Sequence, residues 1–321
     1  MLPDKIDNQH PKLSIITVSL NQGRFLRQMI ESVLNQSYSN YEHIVVDGGS
    51  TDKTIEILKE YPHIKWISEK DDSAAEAFTK ATSMLKGEYV IQCCVSDGFL
   101  NKDWFRLCVE VLDNNHDVSL VWGLPQYMTE EGNLERITTP EYFCEPPPQK
   151  KDFLGFWLAT GHVMYEGNQC TRRDVYARCF PPTLQDCRFN GNTQFDFVYN
   201  FMTSGYLPNF VPVIANYGRI HSDAQGHSEK MKAMALIAYK GYMKAITEYR
   251  NKLFKMQIKH YFRDSASQVI SELTKSEIIS CRRRFYKTKM KVIANYSIYE
   301  LMKFVLRKCH LFKLRKWLSS Y

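Results

Sequence analysis

No stretch of the 321-residue chain approaches the roughly 18 consecutive apolar residues that cross a bilayer as a helix. The N-terminal dozen, MLPDKIDNQHPK, has no apolar signal core, so synthesis and retention in the cytosol are expected. The nine cysteines form no CxxC pair and no Cys/His spacing of the zinc type, which argues against a disulfide framework and a zinc finger. Cys93 and Cys94 fall inside an apolar run, where free cysteine packs as a small hydrophobe. Internal repeats and low-complexity tracts are missing. So is a glycine-rich, lysine-containing phosphate loop near the N-terminus, which speaks against a nucleotidyltransferase.

What is present fits a large soluble domain with an appendage. Hydrophobic residues make up 44% and charged residues 24%. Aromatics, at 13%, suit a sizeable core and carbohydrate contacts, core packing being their commoner use. The net charge of +7 hides an asymmetry: from Glu229 onward 22 Lys and Arg face six Asp and Glu, so that tail carries +16 and the rest −9. An acidic body with a basic tail is no nucleic-acid signature. It points the tail at a membrane surface or lipid phosphate.

Periodicity predicts alternating strands and helices. Leu13 to Leu20 reads as a buried strand and Arg24 to Asn35 as a helix with Phe25, Met29, Ile30, Val33 and Leu34 on one face. Strands follow at Tyr41–Val46, Ile64–Ile67 and Glu88–Val95, with helices between them, one capped by Thr51 or Asp52 and the other over Ala74–Leu85. This alternation implies a mostly parallel central sheet flanked by helices, with right-handed crossovers. Beyond it come a helix at Trp104–Leu112, a strand at Ser119–Met128 turning through Glu131-Gly132-Asn133 into a hairpin, and a loop at Pro146–Pro148. A strand and short helix are expected within Gly161–Cys179, then a helix at Asn192–Thr203 and a strand at Phe210–Asn216. After Ser228 nearly everything reads as helix.

Three acidic loops stand at strand ends: EHIVVDGGSTD (42–52), EKDDSAAEAFTKATSMLKG (69–87) and GEYVIQCCVSDGFL (87–100). An open α/β sheet places its ligand there. Together with SVLNQSY and the E-x-D-x-x-x-x-x-A-x-x-K run of Glu69 to Lys80, these segments resemble the inverting, GT-A type glycosyltransferases of family 2. The resemblance covers the first 100 residues, weakens over 160–228 and ends near 230. It implies a GT-A catalytic domain over 1–228, with a donor-binding half (12–100) and an acceptor half (101–228), and a helical extension over 229–321.

It also implies roles. Asp47 takes the position that meets the donor base, with Gly48 admitting close backbone approach and Thr17, Ser19 and Asn21 beside it. The bland alternative is a turn that caps the next helix, which accounts for Thr51 and Asp52. Asp71 matches the acidic loop near the donor sugar or ribose, flanked by Asp72. Lys80 keeps its usual place, although a Glu76–Lys80 pair one turn apart explains it as well. Asp97, beside Ser96, takes the position that holds Mg²⁺ or Mn²⁺ on the diphosphate; Val95 stands where the family carries a second acid. An ordinary strand-ending turn is the competing reading. Gln194 occupies the usual position of the catalytic base and cannot act as one, so Asp196, with Asp186 in reserve, is the expected base. Asp196 can equally serve the helix N-terminus. Arg219 and His221 can reach the pyrophosphate or the acceptor, and Arg172 and Arg173 either line the acceptor pocket or are solvated.

The expected activity is transfer of a sugar from a UDP-, GDP- or dTDP-sugar to a saccharide or lipid-linked saccharide, in bacterial surface polysaccharide assembly. A sugar-nucleotide-binding protein without turnover is the alternative, from Val95 and Gln194. Ser297-Ile298-Tyr299-Glu300 reads as a capping box opening a basic amphipathic helix towards Trp317. That helix, with the Arg282–Arg284 cluster, suits peripheral attachment to the cytoplasmic face of the inner membrane, or else packs on the catalytic domain with its charges in water.

Overall fold

A computed structural model of the chain describes residues 10–71, 73–137, 147–181, 183–221 and 229–308. Strands and helices alternate first: β1 (Leu13–Ser19), α1 (Gly23–Leu34), β2 (Tyr41–Asp47), α2 (Thr54–Lys59), β3 (Lys65–Ser68), α3 (Ala74–Met84) and β4 (Tyr89–Cys94). The four strands pair in parallel in the order β3-β2-β1-β4, the outcome expected of buried β-branched runs joined by amphipathic helices. Their register sets Ser19 beside Asp47 and Asp47 beside Ser68, so the C-terminal ends form one ledge.

The chain continues through β5 (Gly98–Phe99), α4 (Trp104–Asn114), β6 (Val118–Met128), β7 (Leu134–Ile137), α5 (Phe153–Thr160), β8 (Gln169–Arg172), α6 (Arg173–Cys179), α7 (Thr193–Ser204) and β9 (Leu207–Arg219). The sheet runs β3-β2-β1-β4-β8-β6-β9-β5, with β7 hairpinned onto β6. β8 is antiparallel to both its neighbours, while β9 runs parallel to β6. One continuous sheet therefore spans both expected halves of the catalytic domain. One apolar core packs α1, α2 and α4 on one face, and a second packs α3 and α5–α7 on the other.

Three departures from the sequence reading have physical reasons. α5 was not expected; all eight of its residues are buried, and a helix apolar all round has no amphipathic stripe to reveal it. The tail is not helix alone: between α8 (Glu229–Phe254) and α9 (Lys275–Lys308) lies a hairpin of β10 (Tyr261–Arg263) and β11 (Val269–Glu272). Ser297 opens no helix, since it is interior to α9; residues 309–321, with Trp317, lie outside the described residues, as do Pro146 and Asp72.

The extension is built into the core. Ala238, Tyr242, Ile246 and Leu253 of α8 are buried, and Trp157 Nε1 donates to the Tyr242 hydroxyl at 2.8 Å. Gly205 ends α7 at φ 86°, and a Cβ there would fall 1.8 Å from the Tyr261 carbonyl oxygen. Only glycine lets the hairpin dock.

Candidate functional site

The ledge at the ends of β1, β2 and β4 is assembled by its own loops. Asp47 is fully enclosed. One carboxylate oxygen accepts from the backbone N–H groups of Gly49 (3.1 Å) and Ser50 (2.8 Å) and from Ser68 Oγ (2.7 Å); the other accepts from Ser50 Oγ (2.5 Å). Asp47 thus organises the glycine turn rather than projecting from it. Asn21, held at φ 53°, joins this turn to the end of β1: its Oδ1 accepts from Thr51 N (2.8 Å), and its N–H donates to Ser50 Oγ (2.7 Å). Asp52 caps α1 and α2 at once, accepting from Gly23 N (2.9 Å) and Thr54 N (3.0 Å).

Asp71 stands across this turn. A Cβ on Gly48 would lie 2.9 Å from Asp71 Oδ2, so the missing side chain is what admits the carboxylate. Ser19 Oγ, beside Asp47 in register, is buried with no hydrogen-bond partner among the described residues. Thr17, one turn of the pleat further back on β1, is instead engaged by His43 Nε2 (3.0 Å) and Met29 Sδ under α1. Lys80 Nζ pairs with Glu69 (3.0 Å) and Glu76 (3.2 Å), as a helix-surface lysine does.

Asp97 lies at the end of β4 and is 7% exposed. Its Oδ1 accepts from the Arg219 backbone N–H (3.0 Å) and its Oδ2 from the Tyr165 hydroxyl (3.1 Å). Burial nevertheless pushes its pKa up to about 6, against the pull of those bonds and of Arg219. Arg219 is a clamp: Nε donates to Ser96 O (3.1 Å), Nη1 to Thr129 O (3.1 Å) and Glu130 O (3.0 Å), and Nη2 to Gln28 Oε1 (2.5 Å). Its guanidinium also covers Phe25, against which the His221 ring packs at 4.9 Å. Arg172 is similarly occupied, holding three carbonyls behind α4.

The expected bases are each held by hydrogen bonds within their own loops. Asp196 is buried and accepts from the N–H groups of Arg188 (2.9 Å) and Phe189 (3.2 Å), and burial raises its pKa. Asp186 is exposed and bonded to Thr183 Oγ1 (2.6 Å). Gln194 turns inward: its amide donates to Met164 O at 2.7 Å, where Gln169 also donates at 2.8 Å.

Glu166 was missed by the sequence reading. It opens a 3-10 turn over 166–168 that packs between β4, β6 and β9, directly after the tyrosine that donates to Asp97. Asn168, fully buried, pins the turn through Gly123 O (2.9 Å). A Cβ on Gly218 would fall 2.3 Å from the Tyr165 hydroxyl, so glycine there permits the approach. Burial first, and the charge of Asp97 second, push the half-buried Glu166 up to about 7. The one cue in sequence was a lone Glu between an apolar run and Gly-Asn.

Among the described residues no three His, Cys, Asp or Glu side chains gather as metal ligands. Asp97, a buried carboxylate whose ionisation is held back, still suits a hard divalent cation, which would take its remaining ligands from phosphate and water.

Residues 14–180, just over half of the chain, match the family described as glycosyl transferase family 2. Chondroitin synthase of Escherichia coli is 31% identical over 128 residues, a match covering 39% of this chain and 18% of that protein. The chain therefore spans well under two thirds of that relative. Staphylococcus aureus TarS 1–349 in complex with UDP-GlcNAc shares the fold at a TM-score of 0.53 and 15% identity, covering 76% of this chain and 73% of that one. The mannosyltransferase PcManGT of Pyrobaculum calidifontis, in complex with GDP-Man and Mn²⁺, does so at 0.56 and 13% identity, covering 97% and 84%.

Proposed function

The chain belongs to glycosyl transferase family 2 and carries its GT-A fold, and on that premise we propose that it moves a sugar from a nucleoside-diphosphate donor to an acceptor hydroxyl with inversion, in assembly of a bacterial surface polysaccharide. The donor lies along the ledge. Asp71, across Gly48, meets the base or ribose, and the spare Ser19 hydroxyl completes that end. Asp47 and Asn21 hold the turn in shape. The similarity to a chondroitin synthase supports a polysaccharide product, and the neighbours bound to UDP-GlcNAc and GDP-Man support a nucleotide-sugar donor.

At the reacting end Asp97 and Glu166 divide the work. Asp97 would hold a Mg²⁺ or Mn²⁺ ion, which when bound supplies charge neutralisation for the departing diphosphate. Glu166 accepts the proton from the acceptor hydroxyl as that oxygen attacks the anomeric carbon. The bond from that carbon to the diphosphate breaks on the opposite face, so configuration inverts. A carboxyl group near pH 7 in its ionisation is suited to taking a proton under physiological conditions. Asp196 and Asp186 then shape the loop before α7. The observation that carries the reading is the placement of Glu166 beside Asp97 where Gln194 offers no base.

A donor-binding protein without turnover is the second reading, favoured by Val95 and Gln194. Release of nucleoside diphosphate separates the two. A panel of UDP-, GDP- and dTDP-sugars with Mn²⁺, screened by thermal shift, finds the donor, because a ligand that binds only the folded state raises its stability. Metal-dependent release of diphosphate from that donor, abolished by Asp97→Asn, supports transfer. Tight donor binding with no release under any acceptor supports the second reading.

A further inference from the structure

Helix α9 has two contrasting sides. One packs inward: Ile278 and Phe285 are buried, and Gly155 of α5 sits close enough that a Cβ would lie 3.2 Å from the Cys281 carbonyl oxygen. The other carries Ile279, Tyr286, Met290 and Ile293, all exposed, at 44%, 57%, 63% and 48%. At 3.6 residues per turn these four positions fall within one narrow stripe along the helix. Apolar residues normally turn inward on a helix packed against a domain, so this stripe is the wrong way round for packing alone.

The charged residues flanking the stripe are all of one sign. Lys275, Arg282 and Lys289 border one edge, and Arg283 and Lys287 the other; all five are exposed. None has an ion-pair partner among the described residues, and Glu277, the acidic residue of the first turns, lies towards the packed side, bonded to Thr274. Arg284 pairs inward with Asp152 at 3.1 Å and is not part of this face. Apolar side chains at the centre, with basic ones at both margins, match the layering of a bilayer surface with anionic headgroups above acyl chains.

We propose that the outward face of α9, from Lys275 to Ile293, docks the protein on an anionic lipid surface, with Ile279, Tyr286, Met290 and Ile293 entering the headgroup boundary. This deepens the proposed transfer in surface polysaccharide assembly, because it would hold the catalytic domain at the membrane, where a lipid-linked saccharide, one of the two expected acceptors, would be displayed; yet it rests on α9 and not on the chemistry at Asp97. No helix among the described residues is long and apolar enough to cross a membrane, so attachment through α9 is to the surface.

Co-sedimentation of the full chain with vesicles tests it. Phosphatidylcholine vesicles are compared with vesicles containing one third phosphatidylglycerol, at low and high salt. Binding to the anionic vesicles alone, weakened by salt, is expected. Each basic residue near such a surface is worth roughly fivefold in binding, so Arg282→Ser, Arg283→Ser and Lys287→Ser together should lower it ~100-fold. Met290→Glu should also release the protein, with an unchanged melting temperature, because the side chain is exposed. Equal binding to both vesicles, or none, overturns the proposal. So does full binding by the triple variant, which would place the contact elsewhere in the chain. A Met290→Glu variant that turns a dimer into a monomer, with no vesicle binding by the wild type, assigns the face to a second copy instead. Diphosphate release from a soluble donor stays the same in every one of these variants, so failure here and failure of the transferase reading are told apart.

Discussion

Replacing Asp97 with asparagine separates charge from shape at the centre of the site. In Asp97→Asn the amide oxygen can still accept from the Arg219 N–H, and the Tyr165 hydroxyl can rotate to accept from the new amide, so the fold has no reason to change. The charge is what disappears. Burial lifts Asp97 from 3.8 to about 6 in the folded protein, a rise worth ~3 kcal/mol of differential stability between its protonation states. The sign follows from proton counting. Between about pH 4 and pH 6 the folded state binds more protons at this group than the unfolded state, so wild-type stability falls as pH rises through that window, and above it the full penalty remains. The variant escapes this fall. It also eases Glu166, whose pKa is lifted partly by Asp97. The hydrogen bonds that favour the ionised carboxylate are already counted in that pKa, and the ~1 kcal/mol difference between bonds to an amide and to a neutral carboxyl is the same at both pH values, so it cancels when they are compared. The melting temperature of Asp97→Asn minus that of wild type should therefore become more positive by roughly 5 °C between pH 4 and pH 8, at about 2 °C per kcal/mol for a chain of this size. Calorimetry without donor or metal measures it. Diphosphate release should fall ~100-fold or more, as when one charge-stabilising group is removed from an active site. A difference that stays flat, or that becomes more negative at pH 8, refutes the account of Asp97 as a carboxylate held in the site at a cost to stability.

Glu166→Gln should lower kcat by ~100-fold or more while leaving donor affinity within a few-fold. In the wild type kcat/KM, which follows ionisation in the free enzyme, should rise with pH through about 7 as Glu166 ionises, and a shorter Glu166→Asp carboxylate should retain part of the rate with a displaced limb. An unchanged profile in Glu166→Asp would remove Glu166 from the proton transfer. Asp47→Ala strips the acceptor from two backbone N–H groups and two hydroxyls; at ~1 kcal/mol each, roughly 3–4 kcal/mol of stability should go, as read from urea midpoints, and donor binding should weaken with it. Gly205→Ala combines a left-handed backbone with a collision at Tyr261 O; about 3 kcal/mol of destabilisation is expected, with new proteolytic cleavage near β10.

The donor half was legible because its signals are local. Strand periodicity, an acidic turn after each strand and amphipathic helices between them led directly to β1 through β4 and their shared ledge. The roles of individual side chains were less legible, since hydrogen bonding decides them. Asp47 reads from sequence as a ligand contact, but the loop claims both of its oxygens. Lys80 reads as a donor contact or a partner of Glu76, and Arg219 as a pyrophosphate or acceptor contact; two carboxylates, Glu76 among them, hold the first, and four oxygen acceptors and an aromatic face occupy the second. The acceptor half was obscured for a different reason. β8 is four residues long and antiparallel to both neighbours, α5 has no polar face, and Glu166 meets Asp97 across 69 positions of chain. Neither spacing nor periodicity reports such a meeting.

Val95 and Gln194 are best understood together with Glu166. Both stand where the family resemblance leads one to expect acids, and on their own they look like losses. Electrostatics gives them another meaning. Burial already holds back the ionisation of Asp97 and of Glu166, and the charge of Asp97 adds to the effect at Glu166. A third carboxylate at 95, two residues before Asp97 on the same strand end, would raise both pKa values further and cost the fold more. A carboxylate at 194 would face the Met164 carbonyl, two residues from Glu166, where the Gln194 amide now donates a hydrogen bond and helps fix the turn that carries Glu166. A neutral residue at each position is thus what a glutamate at 166 requires. On the proposed reading of Glu166 as proton acceptor, neutral residues at 95 and 194 keep further negative charge away from two carboxyl groups whose ionisation burial already opposes.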